Sequence, residues 1–173
     1  MHINTRKLAF VILFVSVGLW AADDPMLGTW KLNLAKSKWS PGPPPKSGTL
    51  KRVAAGNAVK VTNDGVDGQG KAMHWEYTAN YDGKDYPVTG DPARDTVSMT
   101  RFAVIFKDDY AVFKIGANTD ESIVIETISK KAGKVTATTR GVFSKDGKTY
   151  TVTQTGKDDQ GRPVNNLIVL EKQ

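Results

Sequence analysis

The sequence has no cysteine and only two histidines, His2 and His74, in 173 residues. Disulfides, thiolate nucleophiles, zinc fingers and iron–sulfur sites are therefore excluded, since soft-metal sites draw on several thiolate or imidazole ligands. Blocks of like charge are also missing. The 24 Lys plus Arg outnumber the 18 Asp plus Glu, for a net charge of +6. The lysines are interleaved with acids in turn-like runs such as Lys145-Asp146-Gly147-Lys148. Nucleic-acid binding needs a concentrated basic stripe, so nucleic acid is not an expected partner. No segment carries a long helical period with caps, which leaves little room for an α-helical domain.

The chain opens with Arg6 and Lys7, then fifteen uncharged residues from Leu8 to Ala22, then Asp23, Asp24 and Pro25. A short apolar stretch after a basic start is the layout of a signal peptide; a membrane-spanning helix needs about twenty apolar residues. Residues 1–22 are expected to be an export leader cleaved after Ala21 or Ala22, with the protein periplasmic or secreted and not integral to the membrane after cleavage. No cysteine follows the apolar run, which rules out a lipid-modified anchor. Removing Arg6 and Lys7 leaves 22 basic against 18 acidic side chains, or +4, on a single domain of residues 23–173.

That domain reads as all-β. Valine and threonine each occur seventeen times in the full sequence, and β-branched side chains suit the pleated surface of a sheet. Alternation is clearest from Lys71 to Tyr81, where Met73, Trp75, Tyr77, Ala79 and Tyr81 share one face and His74, Glu76, Thr78 and Asn80 the other. Asp82-Gly83 and Asp146-Gly147 supply the positive φ of tight turns. Two pairs of segments echo each other, 82–89 with 146–153 and 67–71 with 158–162; re-use of one hairpin chemistry explains them more simply than duplication. Pro41, Pro43, Pro44 and Pro45 predict an extended surface crossing. Residues 102–128, apolar at nearly every position, predict strands covered on both faces. Eight to eleven antiparallel strands in up-and-down order, closed into a barrel that removes its own edges, is the architecture expected.

Leu27-Gly28-Thr29-Trp30-Lys31-Leu32 resembles the first strand of the calycin barrels, the lipocalins and more closely the fatty-acid-binding proteins. Trp75-Glu76-Tyr77, Asp82-Gly83-Lys84, Ser144 to Thr149 and Pro163 to Asn166 are similar to the small secreted lipocalin-like domains of bacteria. The resemblance implies that Trp30 plugs the closed end of a barrel. Two departures matter. The proline-rich segment stands where fatty-acid-binding proteins insert a helical lid, and Ile168 and Leu170 stand where they carry an Arg-x-Tyr pair that grips a carboxylate. With that anchor gone, a neutral apolar ligand is the expectation, because a buried carboxylate without a cation loses its water uncompensated.

Candidate ligand-binding residues are the aromatics Trp75, Tyr77, Tyr81, Phe102, Phe106 and Phe113, with Arg101 and Arg140 as polar contacts. Trp39, Tyr110 and Arg52 belong to the wider set, and the facing of the arginines is left open. No catalytic residue, metal site or cofactor is assigned. His74 and Glu76 share a strand face, which could make a base and its orienting carboxylate, yet no serine sits in a nucleophile elbow. Asn63-Asp64-Gly65-Val66-Asp67-Gly68 has the look of a calcium loop, but glycine and histidine fill two ligand positions, so a polar hairpin loop is the preferred reading. The leading functional expectation is an exported, non-catalytic binding protein for a small apolar or amphiphilic molecule in a barrel cavity. A cell-envelope interaction module with a filled barrel comes second, and an enzyme third.

Overall fold

The structure is a computed structural model that describes residues 24–107, 110–115, 122–158 and 160–173, with the backbone alone for 103–107, 110–115 and 122. The expected leader, residues 1–22, lies outside the described residues. Eleven strands follow one another: β1 (Gly28–Leu32), β2 (Ser47–Ala55), β3 (Ala58–Val66), β4 (Ala72–Ala79), β5 (Asp82–Thr89), β6 (Thr96–Lys107), β7 (Tyr110–Ile115), β8 (Ser122–Lys131), β9 (Lys134–Phe143), β10 (Thr149–Lys157) and β11 (Pro163–Lys172). The helical content among the described residues is a 3-10 turn at Leu34–Lys36.

All pairings are antiparallel and nearly all join neighbours in sequence. β1 pairs with β11 through Trp30↔Lys172 and Leu32↔Leu170, and β5 pairs with β6 through Tyr86↔Val97 and Pro87↔Thr96. The ladder thus closes into a ten-strand up-and-down barrel, which leaves no barrel strand with a free edge. β7 stands off that circuit. It pairs with the far half of β6, Phe102↔Ile115 to Lys107↔Tyr110, beyond the half of β6 that β5 occupies.

Local chemistry explains the turns. Asp67 and Asp158 build the same five-residue reversal. The Oδ1 of Asp67 accepts from the backbone N–H of Gln69 and Lys71 at 3.0 and 2.8 Å, and that of Asp158 from Gln160 and Arg162 at 3.0 and 2.9 Å. Gly70 and Gly161 take φ of 93° and 77°. The echo between 67–71 and 158–162 is therefore one hairpin device used twice. Asn63 to Val66 lie inside β3, so the polar loop expected from Asn63 onward starts only at Asp67.

The period-two reading of β4 holds: Tyr77 and Ala79 are buried with Met73 and Trp75 half-buried behind them, and His74 and Thr78 face solvent. Ile123, Val124 and Ile125 are buried in succession, as expected of a strand covered on both sides. One end of the barrel is packed shut. Trp30 and Met26 are fully buried there. The indole Nε1 of Trp30 donates to Met26 O at 3.2 Å, and Lys172 Nζ donates to Pro25 O at 3.1 Å. Phe143, Val59, Ala79, Val97, Met99, Ile123 and Ile125 complete this core.

Candidate functional site

The other half of the barrel is hollow. A cavity of about 490 Å³ runs from Arg52 at its floor to the proline-rich segment at its mouth, within the range of roughly 300–1,000 Å³ typical of small-molecule sites. Its walls are residues of β1, β2, β3, β4, β8, β9, β10 and β11, among them Leu50, Val61, Trp75, Tyr77, Thr127 and Val152.

The floor is an aromatic cluster topped by a cation. Phe143 and Tyr150 stack with centroids 3.9 Å apart, and both meet Trp30 edge-on at 5.2 and 5.9 Å. The guanidinium carbon of Arg52 lies 5.5 Å from the Phe143 centroid and 5.9 Å from that of Tyr150, within cation–π range. Its Nη2 donates to the Tyr81 hydroxyl at 2.9 Å. Arg52 is 3% exposed, yet no carboxylate pairs with it among the described residues, and its buried Nε–H has no acceptor. Burial opposes its charge, but the hydroxyls of Tyr150, Tyr81 and Tyr77 favour it, and the net effect raises its pKa above the usual arginine value. Burial pushes the Tyr150 hydroxyl up to about 12 and Tyr77 upward as well, with Arg52 opposing both.

Higher in the cavity a second arginine is already neutralised. Arg94, on the segment between β5 and β6, lies 4.3 Å from the Trp75 centroid, and Trp75 stacks parallel to Tyr77 at 5.9 Å. The Nε of Arg94 is 2.9 Å from Asp91 Oδ2, a charge contact too poorly aligned to count as a hydrogen bond, and its Nη1 donates to Ser129 Oγ at 3.3 Å. Trp39, Pro41, Pro43 and Pro45 border the mouth beside Asp67-Gly68-Gln69. The cap rests directly on that turn, since a Cβ at Gly68 would come within 2.7 Å of Pro43 Cγ. Backbone bonds tie it to β11, Lys38 N–H to Leu167 O at 2.7 Å and Asn165 N–H to Ser40 O at 2.7 Å. The indole N–H of Trp39 is buried without an acceptor.

Of the residues expected at the site, Trp75 and Tyr77 line the cavity. Tyr81 stands behind the floor, in contact with Arg52. Arg101 reaches the closed end instead, where its Nη1 lies 3.3 Å from Asp24 Oδ2. Arg140 is exposed on β9 between the lining residue Thr139 and Gly141, and Phe102 is half-buried outside the lining. The side chains of Phe106, Tyr110 and Phe113 lie outside the described residues. Ile168 and Leu170 leave β11 without a cation as expected, and the cation buried in the barrel is Arg52, whose facing the sequence left open. It sits two residues beyond Leu50 on the same face of β2, so the pleat turns it inward with the core. Arg94 and the mouth residues carried no periodic signal, because their placement depends on loops.

His74 does not join Glu76. Its Nδ1 lies 2.7 Å from Asp64 Oδ1 across the β3–β4 ladder, while Glu76 pairs with Lys60 at 2.9 Å, all on the outer surface. Among the described residues no three His, Cys, Asp or Glu gather as metal ligands, and no helix is long and apolar enough to cross a membrane. No family model, curated protein or solved structure matches the chain.

Proposed function

We propose that this chain is an exported, non-catalytic binding protein that carries a small apolar or amphiphilic molecule inside its barrel, on a plan similar to the lipocalins and fatty-acid-binding proteins. The observation that carries the reading is the 490 Å³ cavity, walled by Val61, Trp75, Tyr77, Val152 and Leu170 and bordered at its mouth by the prolines. Apolar walls with a few fixed polar groups are what a small-molecule site requires. The packed end built on Trp30 and Met26 supports it further, because a rigid floor keeps the cavity from collapsing onto itself. Export is supported by the basic start and apolar run of residues 6–22.

The test is saturable binding of a neutral fluorescent probe, N-phenyl-1-naphthylamine, to the purified protein, with Val152→Trp as a cavity-filling control. One site per chain, lost in the variant, is expected. A probe that fails to bind, or that binds equally after the cavity is filled, overturns the reading. Native mass spectrometry of protein taken from the cell envelope should also show a co-purifying small molecule.

A further inference from the structure

We infer that the carried molecule is an acid, and that Arg52 receives its anionic group at the floor of the cavity; this rests on the binding function proposed above. A charged side chain taken out of water costs several kcal/mol unless it is paired. Arg52 is 3% exposed, and every other arginine whose ion pair is described, Arg94, Arg101 and Arg162, has a carboxylate within 3.3 Å. Among the described residues Arg52 has none, and its one side-chain hydrogen bond there goes to a neutral phenol.

What surrounds Arg52 orients it without neutralising it. Phe143 and Tyr150 lie against the guanidinium and Tyr81 engages Nη2; the Nε–H is sealed from solvent without an acceptor, and Nη1 has no acceptor among the described residues on a side chain that lines the cavity. A planar fork held in place with unspent donors suits an oxyanion, which can accept two parallel N–H bonds. The acids that share the cavity do not supply one. Asp91 is engaged with Arg94, and Asp67 at the mouth holds its own turn. Val61, Trp75 and Val152 give the cavity apolar wall beside Arg52, and Thr127, Ser129, Thr139 and Gln154 add neutral polar groups that carry no charge to match it. An amphiphile fits that cavity with its acidic head on Arg52 and its chain toward the prolines. Carboxylate and phosphate monoester share the required chemistry.

The experiment compares dodecanoate, dodecyl phosphate and dodecanol, each below its critical micelle concentration, by isothermal titration calorimetry on protein expressed from the full sequence. The acids are expected to bind at least tenfold more tightly than the alcohol, and the tighter of the two identifies the head group. Arg52→Met should remove that preference by weakening the two acids at least tenfold more than dodecanol, and Arg52→Lys should retain part of it. Equal affinity for acid and alcohol in the wild type overturns the inference and leaves the cavity reading standing. So does an equal loss for all three ligands in a folded Arg52→Met protein. If no probe binds, both fall. Should Arg52→Met not fold, the wild-type head-group series and Arg52→Lys decide the matter alone.

Discussion

Phe143 and Tyr150 lie 3.9 Å apart and 8° from parallel, and the residue that lets them do so is Gly141. A Cβ at position 141 would fall on the Tyr150 ring. The stack is thus written into the sequence as an absent methyl group. Gly141→Ala should displace Tyr150 and destabilise the protein by about 1–3 kcal/mol, the usual cost of overpacking. Urea unfolding checks this, and an unchanged midpoint would show the floor to be more yielding than its geometry implies.

Tyr150 also sets an alkaline limit. Its hydroxyl is pushed up to about 12 from 10.0, chiefly by burial, with Arg52 opposing. The unfolded chain releases this proton near pH 10 and the folded chain keeps it until about pH 12. Its contribution is therefore complete below pH 10 and lost as pH rises toward 12, about 3 kcal/mol in all. Tyr77 acts in the same direction. Urea midpoints between pH 8 and pH 12 should fall, and Tyr150→Phe should flatten most of that slope.

Trp30 ties the closed end together through two edge-on ring contacts and its bond to Met26. Trp30→Ala should cost about 3–5 kcal/mol, as large-to-small changes in a core do. Trp30→Phe, which keeps an aromatic ring but loses the N–H, should cost less. Calorimetric melting of the three proteins gives the order, and a Trp30→Phe as damaging as Trp30→Ala would assign the effect to the hydrogen bond.

The cap should loosen independently of the barrel. Gly68 has space for no side chain beneath Pro43 and Pro44 O, so Gly68→Ala should lift the proline-rich segment. Amide exchange at Lys38, bonded to Leu167 O, should then quicken several-fold while the exchange of core amides in β9 and β10 stays the same. Uniform acceleration across the barrel would show that cap and core open as one unit.

Much of this architecture could be read from residue order, and the reasons differ by element. β4 was legible because Met73, Trp75, Tyr77 and Ala79 alternate with polar residues over a full strand, and the turns at Asp146-Gly147, Asp67 and Asp158 because they encode their own hydrogen bonds, whereas Asp82-Gly83, expected as a turn, lies inside β5 at an irregular register with β6. Trp75 and Tyr77 reached the cavity through the alternation of β4. The facing of Arg52 stayed open because β2 reads Ser-Gly-Thr-Leu-Lys-Arg-Val-Ala-Ala, where one buried apolar residue, Leu50, carries all the information about facing. The step from Leu50 to Arg52 was the available signal, masked by the general rule that arginine stays in water. Arg94 and the cap depend on loop paths, and the standing of β7 off the barrel depends on which half of β6 meets β5. Neither leaves a local pattern.

The circuit is not laced evenly. β10 and β11 are matched without a break from Thr149↔Glu171 to Lys157↔Pro163, whereas β4 and β5 meet only at Glu76↔Thr89 and Tyr77↔Val88, and β5 then meets β6 across an irregular register. A hoop under strain parts where its stitching is sparsest. The seam of this barrel is β5, one strand away from the wall that Tyr77 gives the cavity, and a cylinder with a seam has a built-in direction in which to give.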